Sequence, residues 1–225
     1  MTERTQMANR GELLQQDGVD ACALSARLRQ GTQAEHRAIE EVAAMRRLFA
    51  PDYRMGEYRA LLGRLYGFYQ ALEPGLFAGL PAALRPALAH RRKTPLLERD
   101  LAALGVGETG REALALCFAL PPLEDDCAAG RLGVFYVLEG STLGGQIIGR
   151  RLAGHFEGCP AAIEDALHFF RAYGPDNGRQ WRRLRELLDD YGATAGATAR
   201  ERALQAARQT FVSLRHWLEG SREGC

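Results

Sequence analysis

Apolar positions along this chain recur at three- and four-residue intervals, and no stretch sustains a two-residue alternation. Leu24, Leu28, Thr32 and Ile39 form the first such set, which predicts an amphipathic opening helix capped by Ser25 or Asp20. Tyr58, Leu61, Leu62, Leu65, Tyr66, Phe68, Tyr69 and Leu72 form a second, aromatic-rich set; it predicts a helix over 55–72, stopped by Pro74-Gly75. Shorter helices are predicted over 82–92, 95–104 and 111–119, punctuated by Pro81, Pro86, Pro95, Gly105, Gly107, Pro121 and Pro122. A long helix starts near Asp125 or Asp126, reaches Phe156 and ends at Gly158 and Pro160. Another covers 161–170, and a turn over 173–178 offers Asp176 or Asn177 as the cap of a helix carrying Trp181, Leu184, Leu187 and Leu188. The last, over 198–219, aligns Leu204, Ala207, Phe211, Leu214 and Leu218 on one face. The fold class this pattern predicts is all-α.

Within the long helix, five glycines fall in the eighteen residues from Gly133 to Arg150, each costing a helix interior roughly 1 kcal/mol relative to alanine. At about 100° per residue, Gly133, Gly140 and Gly144 lie within roughly 40° of one another. That face is nearly bare backbone. It suits either close packing of another helix or the approach of a large flat ligand.

The 225 residues, 46% of them hydrophobic, allow one well-cored domain. It is expected over 23–220, with 1–22 as a mobile N-terminal tail and 221–225 as a C-terminal one. A net charge of +1, from 29 basic and 28 acidic residues, gives no global attraction to nucleic acid or to an anionic membrane. No apolar run approaches the roughly 18 residues of a membrane span, and the polar opening lacks the order of a signal peptide, so a cytoplasmic protein is expected. Cys22, Cys117, Cys127, Cys159 and Cys225 are odd in number and never form a Cys-x-x-Cys pair, which argues against a disulfide framework or a zinc site.

Of the five histidines, only His36 has a suggestive neighbour. Glu40, four residues on, lies one helical turn along, where its carboxylate supports a ring nitrogen and leaves the other to a metal. His90, His155, His168 and His216 read as surface or packing residues. If His36 bound the iron of a haem from one side, the glycine face could lie over the other, with the backbone at Gly140 and Gly144 touching a small ligand above the metal. Helix packing is the competing use of those glycines.

Three separated stretches now carry a resemblance. Residues 28–40, LRQGTQAEHRAIE, resemble the proximal helix of the haem oxygenase family; 58–73, YRALLGRLYGFYQALE, are similar to its next, aromatic helix; and 138–146, LEGSTLGGQ, resemble its glycine-kinked distal helix. The resemblance implies a single-domain helical fold with haem held between the proximal and distal helices. It also implies oxidative cleavage of haem to biliverdin, at the α position, with release of carbon monoxide and ferrous iron. Haem is then both cofactor and substrate, and dioxygen and an external electron donor, such as a ferredoxin or a flavodoxin with its reductase, complete the reaction. The wording of 136–145 is most similar to bacterial members associated with bacteriophytochromes, which receive biliverdin as chromophore.

Carried onto this chain, the family pattern makes His36 the iron ligand with Glu40 as its support, and Gly140, Ser141 and Gly144 the catalytic segment. Gly133, Gly145, Phe135 and Phe211 become pocket-lining residues. Arg29, on the His36 face, and Arg182, with Arg179 and Arg185 as rivals, become partners of the haem propionates. Many members carry an aspartate where this chain has Ser141, so the proton path is expected to run through ordered water and that hydroxyl. The run His90-Arg91-Arg92-Lys93 is expected to be solvent-exposed, with docking of an acidic electron donor as its functional reading. Two other functions compete: a non-catalytic haem-binding or storage protein on the same fold, which needs no bare distal face, and a thiamine-processing helical enzyme, which needs a buried nucleophilic cysteine.

Overall fold

The computed structural model describes residues 23–123, 128–158 and 163–220. Asp20, Asp125, Asp126, Pro160 and the two expected tails lie outside the described residues. Eleven α-helices are defined among those described, and no strand. They are α1 (Leu24–Gly31), α2 (Gln33–Glu40), α3 (Ala43–Arg47), α4 (Met55–Ala78), α5 (Arg85–Leu88), α6 (Thr94–Ala103), α7 (Glu108–Glu112), α8 (Ala128–His155), α9 (His168–Arg171), α10 (Asn177–Thr194) and α11 (Ala197–Glu219), with a 3₁₀ turn at Gly174–Asp176. No described helix is long and apolar enough to cross a membrane.

The opening helix is two helices. At Thr32 the backbone leaves helical geometry, with φ −113° and ψ 9°, while its hydroxyl donates back to the Leu28 carbonyl at 2.7 Å. Arg208 of α11 donates to the Gly31 carbonyl at 2.7 Å, so a side chain takes a carbonyl at the end of α1. Ser25 does not cap; it is buried, and its amide and hydroxyl both donate to Asp189 of α10, at 2.8 and 2.9 Å.

Helix α4 runs through Pro74 to Ala78, where the sequence predicted a stop. A proline inside a helix costs about 3 kcal/mol, but the turns beyond it bury Leu76 and Phe77, each contributing roughly 1.5–3 kcal/mol. Buried Arg131 of α8 donates to the Gly75 and Leu76 carbonyls at 2.8 and 3.2 Å. The last turn is thereby closed from outside. Conversely, the helix predicted over 111–119 ends at Glu112. The chain beyond it crosses α4 too closely for a helix: the Cys117 amide donates to the Gly67 carbonyl at 3.0 Å, and a Cβ on Gly67 would sit 2.2 Å from the Ala115 oxygen.

Helix α8 is the central element, packed along α11 and also against α9 and α10. It runs unbroken over its glycines. A Cβ at Gly133 would lie 2.1 Å from the Ala203 oxygen of α11, and one at Gly145 would lie 2.6 Å from the Phe170 oxygen of α9. Helix α9 is itself pinned by buried Asp100, which accepts from the His168 and Phe169 amides, each at 2.8 Å. Asn177 closes the following turn, accepting from the Tyr173 amide and donating to the Arg171 carbonyl, both at 2.9 Å. Between these fasteners Ala172 is held at φ 45°, the one non-glycine residue with positive φ among those described. Such strain persists only where the surroundings over-determine it. Neither expected cap of α10 acts as one, since Asn177 is used in the turn and the Asp176 carboxylate pairs with Arg179 at 2.5 Å.

Two predictions follow from this packing. Gly133→Ala sets a methyl against the backbone of α11, which cannot step aside as a side chain would; a loss of about 3 kcal/mol in urea unfolding is expected. At the α3–α4 corner, Arg47 bonds Glu57 at 2.9 and 3.0 Å and Asp52 at 2.8 Å, holding both carboxyls below their ordinary range. A depressed folded-state pKa stabilises above the unfolded value, about 4.3 for Glu. The contribution is therefore present at neutral pH and fades as pH falls through about 4, and the melting temperature of Arg47→Met should fall less than wild type between about pH 5 and 3.

Candidate active site between the His36 helix and the glycine helix

Helix α2 has no fully buried residue and rests mainly on α11. His36 projects from it with 60% of its side chain exposed and its Nδ1 3.6 Å from Glu40 Oε1. That separation is too long for a hydrogen bond and short enough for electrostatic orientation. The ring meets Phe211 of α11 edge-on, centroids 5.8 Å apart, so two of the predicted partners of His36 are brought to it. Among the described residues no group of three or more His, Cys, Asp or Glu could hold a metal ion.

Along α8 the predicted glycines divide by what they face. Gly133 and Gly145 serve close packing against α11 and α9, which corrects the expectation that they line the pocket. At Gly140 a Cβ would make ordinary contact with the Trp181 ring at 3.6 Å, and at Gly144 it would meet nothing within 4 Å. These two lie one turn apart, and the neighbouring Leu143 and Ile147 are exposed. An open backbone strip with an apolar margin suits a flat apolar ligand. Phe135 is corrected as well: it is 1% exposed and packs edge-on against Phe77 at 5.4 Å, inside the core.

The two strips converge at one point. Tyr136, one turn before Gly140, interacts through its hydroxyl with Thr32, and burial, only partly offset by that contact and by Arg29 and Arg185, raises its pKa. Its ring also lies 5.5 Å from Trp181. Thr32 is likewise one turn before His36. From the Thr32–Tyr136 contact, therefore, one turn along α2 reaches exposed His36, and one turn along α8 reaches the bare strip.

Cations lie around that contact. Arg29 and Arg185 both act on the Tyr136 hydroxyl, whereas exposed Arg182 does not figure there and Arg179 is paired with Asp176. Ser141 donates to the Leu138 carbonyl at 2.7 Å and neighbours the Tyr69 hydroxyl, whose pKa burial pushes up while Ser141 draws it partly back. Thr32, Tyr136, Trp181 and Tyr69 were missed in the sequence. For Thr32 and Tyr136 the only signal was one-turn spacing from His36 and Gly140, for Tyr69 membership of the aromatic helix, and for Trp181 there was none.

The run at 90–93 is corrected in its exposure. Arg91 and Lys93 are 3% and 1% exposed and converge on Glu139, itself 1% exposed, at 2.6 and 2.5 Å. Arg92 remains outside, its guanidinium over Phe77 at 4.2 Å. A docking face cannot be built from side chains committed to a buried carboxylate. Cys117 is also inward, and burial raises its thiol pKa, contrary to what a nucleophile needs. A cavity of about 590 Å³ between α1 and α11, lined in part by Arg27, Pro122, Glu201 and Gln205, contains none of the candidate site residues.

The chain and its fold are similar to known proteins. A relative from Xanthomonas campestris pv. campestris (strain 8004), named heme oxygenase, is 31% identical over 155 residues, covering 69% of this chain and 84% of the relative. Heme oxygenase from Leptospira interrogans superposes with a TM-score of 0.69 at 19% identity, over 88% of this chain and 99% of that one. The NO- and CO-bound heme oxygenase from Neisseria meningitidis gives 0.66 at 20% identity, over 88% and 92%. Heme oxygenase-1 from the cyanobacterium Synechocystis sp. PCC6803, in complex with heme, gives 0.65 at 19% identity, over 89% and 92%. The family model for heme oxygenase matches residues 22–220, the whole of the described helical domain, and the chain therefore belongs to the haem oxygenase family of haem-degrading enzymes.

Proposed function

We propose that this protein binds haem between α2 and the Gly140–Gly144 strip of α8 and cleaves it to biliverdin, with opening at the α position and release of carbon monoxide and ferrous iron. Its main support is the side-chain-free stretch at Gly140 and Gly144, open at Gly144 and bordered by the Trp181 ring at Gly140, one turn from a helix contact that also leaves His36 exposed. A storage protein would keep the histidine and the cations but would have no use for that bare strip. When bound, haem supplies the iron-centred oxygen chemistry and is itself the carbon skeleton consumed.

This chain's residues do the rest. His36 would hold the haem iron through Nε2, with Glu40, 3.6 Å from Nδ1, biasing the ring toward that tautomer. The strip at Gly140 and Gly144 would keep side chains away from the face of the bound haem and let it approach the α8 backbone closely. Ser141 and Tyr69 hold exchangeable protons beside it, the serine relaying through water where other members use a carboxylate. Arg29 and Arg185 would hold the propionates, Arg185 in preference to the Arg182 expected from the sequence, and so would orient the ring. Electrons come from an external ferredoxin or flavodoxin system in the cytoplasm, and a bacteriophytochrome is the proposed acceptor of the product.

Haemin titration of the purified protein should give a Soret band that disappears when ascorbate or a ferredoxin system is added, with biliverdin absorption growing in the red. A band that forms and persists would convert the reading to storage. In the same assay His36→Ala should lose turnover by roughly 100-fold or more, and Glu40→Gln, whose carboxylate is distant and exposed, by no more than about tenfold. Arg185→Ala should weaken haem binding about tenfold, as expected for a lost charge-assisted contact, and Arg182→Ala by less than about twofold. Gly144→Ala provides the complementary check: without haem it should gain roughly 1 kcal/mol of helix stability, and with haem its turnover should fall as the methyl enters the strip.

A further inference from the structure

The buried polar cluster behind the glycine strip connects both of its borders. Glu139 immediately precedes Gly140 on α8, and Gln180 immediately precedes Trp181 on α10, the ring that lies over Gly140. One guanidinium reaches both. Arg91 Nη1 donates to Glu139 Oε2 at 2.6 Å. Its Nη2 donates to the Gln180 carbonyl at 3.2 Å and to Gln180 Oε1 at 3.4 Å. Its Nε donates to the Ala87 carbonyl of α5 at 3.0 Å.

The rest of the cluster holds the carboxylate still. Lys93 Nζ donates to Glu139 Oε1 at 2.5 Å and to the Tyr173 hydroxyl at 2.8 Å. The Tyr173 hydroxyl lies 3.1 and 3.0 Å from the two carboxylate oxygens. Lys93 is located in turn by its own amide, which donates to buried Glu73 of α4 at 2.6 Å. Charges this deep are costly unless fully partnered, and here every partner comes from an element other than α8. A rigid planar fork fixes the distance between the groups it bridges, whereas a lysine ammonium is a point donor on a flexible stem.

We propose that Arg91 is a positioning residue for haem turnover, acting as a spacer that sets the height of Trp181 above Gly140 by holding Glu139 and Gln180 on one guanidinium. It touches neither ligand nor reacting atoms. Its effect is on how closely the Trp181 ring borders the strip at Gly140. The inference rests on the reading above, in which the Gly140–Gly144 strip faces the substrate.

Arg91→Lys tests it, because the charge beside Glu139 is kept and the bridge to Gln180 is lost. The two tryptophans of the chain, labelled with 5-fluorotryptophan, give two fluorine resonances, assigned with Trp181→Phe. In the haem-free variant the Trp181 resonance should move and that of Trp217 should not. With haem, affinity from the Soret titration should stay within about threefold of wild type while the single-turnover rate falls about tenfold or more, a loss confined to the chemical step. Glu139→Gln, altering the other end of the spacer, should move the same resonance. An unmoved Trp181 resonance in both variants would overturn the proposal. So would a rate loss accompanied by equal perturbation of both resonances, the signature of general loosening. If the wild-type protein binds haem without consuming it, the functional reading fails and the spacer is judged by the fluorine spectrum alone.

Discussion

How closely α8 can approach its neighbours sets the geometry of everything around it. At Gly133 and Gly145 the backbone of this helix meets the backbone of α11 and of α9 with no room for a methyl group between. Contacts of that kind cannot be adjusted by rotating a side chain, so they fix the helix's position and rotation together. Once they are made, Gly140 is turned toward the Trp181 ring of α10 and Gly144 toward open space. The glycines in one helix thus have two uses, and the packed pair determines where the open pair points.

Much of the fold could be read in the sequence because the three- and four-residue periodicity is a local property of each helix. Its failures occur where a distant contact outweighs a local preference. Pro74 does not end α4, because Leu76 and Phe77 gain a core beyond it. The apolar residues of 113–119 do not continue α7, because Gly67 lets them cross α4. Thr32 lies in helical register with Leu28, yet its hydroxyl and Arg208 from the far end of the chain divide the opening helix there.

The site was legible to a similar depth. His36, Glu40, Gly140 and Gly144 stand out by spacing within single helices, and Phe211 by the helix face it shares. What spacing could not show was which side of α8 each glycine serves, since the propensity cost is the same against a partner helix and against a ligand. Phe135 went astray for a related reason: it neighbours the glycines in sequence but belongs to a core facing α4. The exposure of Arg91 and Lys93 was unreadable for a third. A run of basic residues is normally solvated, and their burial depends on a carboxylate 48 and 46 residues away.

The lack of any fully buried residue in α2 gives the slot one fixed jaw and one lightly held one. Helix α8 is clamped on several sides, whereas a helix of eight residues draws little stability from its own backbone and here leans chiefly on α11. On the proposed reading, closing onto haem falls to the histidine side, and part of the binding free energy is spent ordering that side of the site.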